Sequence, residues 1–236
     1  AKIVNCDTAL ITNIGTAHIE NLHTRENIRT EKFHIMDGMK AGSVMFLNAD
    51  NDLLENPPKR EGIIYKFFSA KGNTLCDYYA TDIVFNNAMP EFTAHIGEKS
   101  VRVHLNVFGE HQISNALVAL AIADHYKLSI ESAAKHLEEF RGFAHRQELI
   151  KLKDLTIIDD TYNASPDSMK ASISILEGFS AKRKIAILAD MKELGEDEKK
   201  LHMEIGDFIN ENVKLDAVFT VGELAKEIIK DINKDI

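Results

Sequence analysis

The apolar residues of this 236-residue chain recur in two rhythms, and the rhythm changes more than once along the sequence. The run Ala9-Leu10-Ile11-Thr12-Asn13-Ile14 reads as a buried strand, a helix is expected from about Arg25 to Met39, and Ser43-Val44-Met45-Phe46-Leu47 supplies the next strand. The chain therefore begins with a βαβ unit. From Gly62 to Val107 the runs shorten and alternate, as in Ser100-Val101-Arg102-Val103-His104-Leu105-Asn106-Val107, which predicts an antiparallel insert or edge. Two helices follow, about Glu110 to Tyr126 and Ile130 to Phe140, the first rich in alanine and aliphatic side chains and so expected to be buried. Arg141-Gly142-Phe143-Ala144-His145-Arg146 fits neither rhythm and reads as an interdomain hinge. Beyond it the pattern predicts strands at 155–159, 184–189 and 216–221 and helices at 166–178, 197–211 and 222–233. This is the alternation of a parallel sheet with crossover helices, and it stops short of the roughly six strands of a complete doubly wound sheet.

Composition narrows the function classes. A 44% hydrophobic chain of this length can bury a sizeable core in one or two domains. Its net charge of -9 argues against a nucleic-acid partner, whose footprint on a protein is normally basic. Cys6 and Cys76 form no motif, which fits a reducing compartment. No apolar stretch reaches the roughly 18 residues of a membrane span. The expectation is a cytoplasmic monomer without membrane insertion.

The most specific chemistry lies in Asp159-Asp160-Thr161-Tyr162-Asn163-Ala164-Ser165-Pro166-Asp167-Ser168-Met169. It joins a predicted strand to a predicted helix, and in open α/β sheets ligands dock at that end of the strands. Ser165 can cap the helix, Pro166 suits its first turn, and the amides exposed there favour an anion. The plain alternative is an ordinary turn.

This segment resembles the motif that opens the C-terminal domain of the Mur ligases, and within that family the MurF type. Five further segments agree in order: Thr12 to Glu20, Asn48-Ala49-Asp50-Asn51, Gly109 to Ala116, His145-Arg146-Gln147-Glu148 and Asp190-Met191-Lys192-Glu193-Leu194-Gly195. The resemblance implies an α/β chain in which residues 1–146 are the C-terminal part of a P-loop-type ATPase domain and 147–236 a Rossmann-like parallel domain, apparently incomplete. It further implies an ATP- and Mg2+-dependent ligase that joins D-alanyl-D-alanine to UDP-N-acetylmuramoyl-tripeptide through an acyl phosphate. No Gly-rich loop ending in Gly-Lys-Ser or Gly-Lys-Thr occurs in the chain. The expectation is thus a fragment lacking the phosphate loop and the N-terminal domain, inactive by itself. Alternatives are a catalytically silent nucleotide-binding or interaction module of the same fold, and another Mur or folylpolyglutamate-type amide ligase.

The resemblance also assigns residues. His18 matches a metal-ligating histidine, and Lys32 matches by spacing a lysine that relatives carbamylate; otherwise they read as a loop histidine and a surface lysine. Glu20 and Glu31 are possible helpers. His111 and Asn115, four apart at a helix start, share one face; the resemblance sets Asn115 against adenine, while the alternative has His111 capping the helix and Asn115 in solvent. Arg146 matches an arginine that reaches ATP on domain closure, and Asp160 an acid that contacts the ribose. Tyr162 and Asn163 are placed to line the nucleotide or the acyl acceptor, and Asp159 can be structural. Several relatives have a lysine where this chain has Tyr162, which favours the MurF type. Asp190 to Gly195 resembles a Gly-Asp/Glu-Met-x-Glu-Leu-Gly motif of that type, with Ala189 in place of its first glycine. Glu193 and His202 could serve the acceptor side, or be a helix-start acid and an exposed histidine.

Overall fold

The computed structural model describes residues 3–17, 19–230 and 232, and the chain divides into two compact units. Unit 1 comprises Ala1–Gly15, Thr24–Asn106 and Glu110–Phe140; unit 2 comprises Thr16–His23, Val107–Gly109 and Arg141–Ile236.

In chain order, β1 (Thr8–Ile11) precedes the short α1 (Ile19–Leu22), which belongs to unit 2, and α2 (Arg25–Phe33). A 3-10 helix, His34–Gly38, continues α2, so the helix expected to reach Met39 tightens for its last turn. Thr24 starts α2 by accepting the Asn27 N–H at 3.1 Å. Then come β2 (Val44–Asn48), β3 (Ile64–Ser69), β4 (Tyr78–Asn86), β5 (Met89–Ile96) and β6 (Lys99–His104). These six strands form one sheet in the order β1-β2-β3-β4-β5-β6. The first four run parallel, and β4 to β6 form the antiparallel meander that the alternating pattern predicts. Asn87 and Ala88, both with positive φ, close the β4–β5 hairpin in two residues. Val44 to Leu47 are buried throughout, as an interior parallel strand requires, whereas β5 alternates buried and half-buried residues. Helices α3 (His111–His125) and α4 (Ile130–Glu139) complete the unit. Ile113, Leu117 and Leu120 of α3 are fully buried, as are Phe46, Phe68 and Phe92 of the sheet.

Unit 2 departs further from the predicted pattern. The segment at 155–159 is a strand, β8 (Thr156–Asp159), but it pairs antiparallel with β7 (Glu148–Lys151), a strand absent from the sequence reading. It does not extend a three-stranded parallel sheet. The parallel pair is β9 (Ile185–Ala189) with β10 (Ala217–Val221), joined through α6 (Glu198–Asn212), while α5 (Pro166–Glu177) follows β8. Ala186 and Leu188 of β9 join Met169, Ile173, Ile205 and Ile209 of α5 and α6 in the core. On the opposite face of the pair, Ile187, Phe219 and Val221 are exposed.

Only a 3-10 turn, Ala225–Glu227, occupies the described part of the expected 222–233 helix, of which 231 and 233 lie outside the described residues. The Asp190 carboxylate accepts the N–H groups of Ala225 (2.8 Å) and Leu224 (3.0 Å), which fixes that turn; the Ala225 bond first, then Lys192 and the Leu224 bond, hold the Asp190 pKa below its ordinary value. Gly222 makes this approach possible: its φ is +119° and any Cβ would overlap the carboxylate.

Gly206, inside α6, decides a competition between two effects. Alanine ordinarily gains about 1 kcal/mol over glycine in a helix interior. Here an added Cβ would overlap the main-chain carbonyl of Ile228, and overpacking costs roughly 1–3 kcal/mol or more. Gly206→Ala is therefore expected to lower stability by up to about 2 kcal/mol net, measured by denaturant unfolding. An unchanged or raised midpoint would show that the segment around Ile228 moves aside without cost.

Candidate functional site

In unit 1 the polar groups converge beyond the carboxyl ends of β1 and β2. The chain leaving β1 is held by side chains from two directions. Asn48 donates to the Thr12 carbonyl at 3.0 Å, and Asn51 donates to Asn13 Oδ1 at 2.8 Å. Arg25, at the start of α2, donates to the Ile14 carbonyl at 2.9 Å and grips Asp52 at 2.6 and 2.9 Å through both terminal nitrogens. Asp50 turns the other way, accepting from Ser69 Oγ (2.6 Å) and the Ala70 N–H (2.6 Å). The Asn48-Ala49-Asp50-Asn51 motif is thus a bracket tying the ends of β1, β2 and β3 together. Arg25 escaped the sequence reading because nothing distinguishes it from a helix-start arginine.

Lys32 belongs to this cluster. It stands in the last turn of α2, and its Nζ donates to the Asn13 carbonyl at 2.7 Å. The residue as a whole is exposed, yet partial burial of its amine lowers the pKa from the ordinary lysine value. A lowered pKa enlarges the fraction of neutral amine, which is the form able to take up carbon dioxide. The one hydrogen-bond partner of the amine, the Asn13 carbonyl, is an acceptor that the N–H of either an amine or a carbamate could satisfy. Glu31 is exposed beside it.

His111 and Asn115 lie exposed on the first turns of α3. Asn115 Nδ2 donates to Gln112 Oε1 at 3.0 Å, and Gln112 also meets His111 at 3.2 Å between their side-chain nitrogens. Glu110, not His111, occupies the N-cap position, and no side chain caps the helix there.

In unit 2, His18 lies outside the described residues. Thr16, two residues earlier, has a buried hydroxyl without a hydrogen-bond partner among the described residues. The Glu20 N–H donates to the Glu193 carbonyl at 3.2 Å, so α1 rests on the 190–197 loop. Glu193 has positive φ there, and Met191 and Leu194 of the same loop are core residues. His202 is fully buried rather than exposed. The Met191 N–H donates to its Nε2 at 2.9 Å, leaving Nδ1 to donate to the Glu198 carbonyl at 2.6 Å. Both ring nitrogens are occupied, which removes His202 from any acceptor-binding role.

The Asp159-to-Met169 loop is ordered by its own side chains. Ser165 and Ser168 form a reciprocal capping box at the start of α5, with Pro166 in the first turn. That bears out the helix start but satisfies donors that an anion would otherwise use. Asp160 accepts from Ser172 Oγ. The Arg146 guanidinium lies 3.9 Å from the Tyr162 ring centroid, a cation-π stack. Arg146 is exposed, and among the described residues no carboxylate pairs with it. Tyr162 and Asn163 are exposed.

His145, Glu148 and Asp159 bring ligand atoms within 4.8 Å of one another, but those atoms are already engaged internally. His145 Nδ1 lies 2.8 Å from Asp159 Oδ2, and the His145 N–H donates to Glu148 Oε2 at 3.1 Å. The Asp159 hydrogen bond, then its charge and that of Glu148, raise the imidazole pKa; bonds from Thr161 and then His145 lower that of Asp159. The sign follows from both shifts. The imidazolium contribution is complete below the unfolded histidine value of about 6.5 and is lost as pH rises through the raised folded value. The carboxylate contribution is present above about 3.9 and is lost as pH falls through the lowered folded value. An NMR titration of His145 should show a midpoint above that of a free imidazole, returning toward it in Asp159→Asn; identical midpoints would dissolve the pair.

Comparison with known proteins decides the family. Residues 1–123 match the Mur ligase middle domain and residues 145–236 the Mur ligase glutamate ligase domain. The chain belongs to the Mur ligase family. It is 35% identical over 243 residues to the UDP-N-acetylmuramoyl-tripeptide--D-alanyl-D-alanine ligase of Bacillus subtilis, with 100% of this chain and 51% of that protein covered. Among solved structures, MurF from Acinetobacter baumannii superposes with a TM-score of 0.87 at 29% identity, covering 98% of this chain and 50% of that one. MurF from Thermotoga maritima in complex with ADP superposes at 0.84 with 27% identity, covering 99% and 52%. This Mur ligase chain thus spans about half the length of the relatives it matches. Among its described residues no helix is long and apolar enough to cross a membrane.

Proposed function

We propose that this Mur ligase chain supplies nucleotide-handling parts of an ATP-dependent MurF-type ligase that joins UDP-N-acetylmuramoyl-tripeptide to D-alanyl-D-alanine. The observation that carries the reading is the Arg146–Tyr162 stack beside the Asp159-Asp160-Thr161-Tyr162-Asn163-Ala164-Ser165-Pro166 loop, since it holds an exposed arginine in a segment characteristic of this type. The similarity to MurF proteins in sequence and in fold supports it. On this reading residues 1–146 are the ATP-binding part and 147–236 the C-terminal domain.

The reaction is two successive transfers. A tripeptide carboxylate oxygen bonds to the γ-phosphorus of ATP as the bond to ADP breaks; the dipeptide amine then bonds to the acyl carbon, phosphate leaves, and the amine gives up a proton. The difficulty in the first transfer is bringing a carboxylate to a triphosphate, so positive charge must be preorganised there. In this reading Arg146 supplies a fixed guanidinium to the nucleotide, Asp160 binds its ribose, and Asn115, beside His111, offers its amide to the adenine. Tyr162 holds Arg146, and Asn163 extends the same polar rim. Lys32 as a carbamate and His18 would hold Mg2+, which when bound neutralises developing phosphate charge. The protein is read as a monomer of the cytoplasm.

The test is phosphate release by the complete gene product carrying this sequence, with ATP, Mg2+, UDP-N-acetylmuramoyl-tripeptide and D-alanyl-D-alanine. Release that requires both the tripeptide and the dipeptide is expected. Nucleotide binding with no such release would indicate a silent module.

A further inference from the structure

We propose that His145 is a positioning residue for Arg146, acting through Asp159 to hold the guanidinium on the Tyr162 ring. This rests on the reading of Arg146 as the nucleotide-contacting arginine.

The residues on both sides of Arg146 have left-handed backbone: His145 at φ +59° and Gln147 at φ +54°. Residues other than glycine adopt that conformation uncommonly, histidine more readily than glutamine, and two of them flanking one residue is unusual. Each flanking side chain is tied to one member of the acid pair, His145 directly and Gln147 through Ser172. His145 Nδ1 pairs with Asp159 at 2.8 Å. Gln147 Nε2 donates to Ser172 Oγ at 3.4 Å, and that hydroxyl donates to Asp160.

His145 is also tied at both main-chain groups. Its N–H donates to Glu148 Oε2 at 3.1 Å, and its carbonyl accepts the Tyr162 N–H at 3.1 Å. The second bond matters most, because it fixes the backbone of the residue whose ring receives Arg146. The main chain of His145 thus touches both members of the stack, and its ring, 61% exposed, adds the bond to Asp159 that holds that main chain in place. A side chain so placed adds little to the interior. What it controls is the geometry of its neighbour.

Asp159 and Glu148 are the charged groups that face the imidazole, and Arg146 follows it in sequence. Asparagine is the informative replacement, because it tolerates left-handed backbone and its amide can donate to Asp159 from near the Nδ1 position. Alanine can do neither.

In the complete gene product, His145→Ala is expected to lower kcat/KM for ATP by about tenfold or more, the scale of losing one charge-assisted contact. Affinity for UDP-N-acetylmuramoyl-tripeptide without ATP should stay within twofold. In an Arg146→Ala background the further loss should shrink to less than twofold, since residues that act as a unit are not additive. His145→Asn should recover most of the ATP kinetics. An NMR readout is independent of activity: the Arg146 Cδ protons, shifted upfield by the Tyr162 ring, should lose that shift in His145→Ala and keep it in His145→Asn, with Tyr162→Leu as the reference for complete loss. An unaltered shift in His145→Ala would overturn the proposal, and so would fully additive losses with Arg146→Ala. Normal ATP kinetics in Arg146→Ala alone would instead refute the nucleotide-contacting reading, and the NMR shift would still decide whether His145 positions the arginine.

Discussion

Lys32→Ala is expected to reduce kcat/KM of the complete gene product by roughly 10²–10³-fold, the scale of removing one preorganised electrostatic group from a reacting centre. The expectation starts from placement. Lys32 sits among the brackets that hold the chain leaving β1, with Nζ 2.7 Å from the Asn13 carbonyl and its pKa lowered by partial burial. A neutral amine there can bond to the carbon of carbon dioxide and release a proton, converting a cation into a carboxylate on a long arm. If that carboxylate is what the ligase uses, a short-chain carboxylic acid should restore part of the lost rate in Lys32→Ala. Lys32→Arg should not respond, because a guanidinium stays charged and still fills the space. With 13C-labelled bicarbonate, a carbamate resonance should appear in the wild type and be absent from both variants. Unchanged turnover in Lys32→Ala would make Lys32 an ordinary surface lysine.

The second large effect concerns Arg146. If Arg146 makes the charge-assisted contact to the nucleotide proposed for it, Arg146→Ala should cost about 1.5–3 kcal/mol, or roughly 10- to 150-fold in kcat/KM for ATP. The Tyr162 ring beneath it supports the geometry without supplying charge, so Tyr162→Phe should be mild and Tyr162→Ala intermediate. Asp160→Ala should also impair ATP use, although part of its effect will run through Ser172, which donates to its carboxylate. UDP-N-acetylmuramoyl-tripeptide affinity in the absence of ATP should barely move in any of these variants. An equal loss of tripeptide affinity would mean that Arg146 and Asp160 serve the structure of this segment and not the nucleotide.

Much of this was readable before any coordinates. α3 lies where the pattern sets it, because burial of one face is a property of many residues at once, and the run expected at Ser100 to Val107 is a strand through His104. The capping of α5 by Ser165 followed from local chemistry alone. β7 was missed because four residues after a hinge carry too little periodicity, and its pairing with β8 depends on a partner that the local pattern does not name. The 222–233 helix failed for a tertiary reason: Asp190, more than thirty residues earlier, takes the Leu224 and Ala225 amides and sets a 3-10 turn. At the site, residue types were legible and their partners were not. Spacing suggested Lys32 and Arg146 through a family resemblance, but neither the Asn13 contact nor the stack on Tyr162 has a sequence signature. His202 shows the converse, since polarity suggested a site residue and burial with two hydrogen bonds made it a core one.

Mass spectrometry of the nucleotide-linked product tests D-alanyl-D-alanine addition most directly. The complete gene product would be incubated with ATP, Mg2+, UDP-N-acetylmuramoyl-tripeptide and D-alanyl-D-alanine, and in parallel with single amino acids in place of the dipeptide. A product heavier than the tripeptide substrate by one dipeptide less one water, formed together with ADP and phosphate and only when the dipeptide is supplied, is the predicted result. Addition of a single amino acid in preference to the dipeptide, or no adduct while ATP is bound, would contradict it.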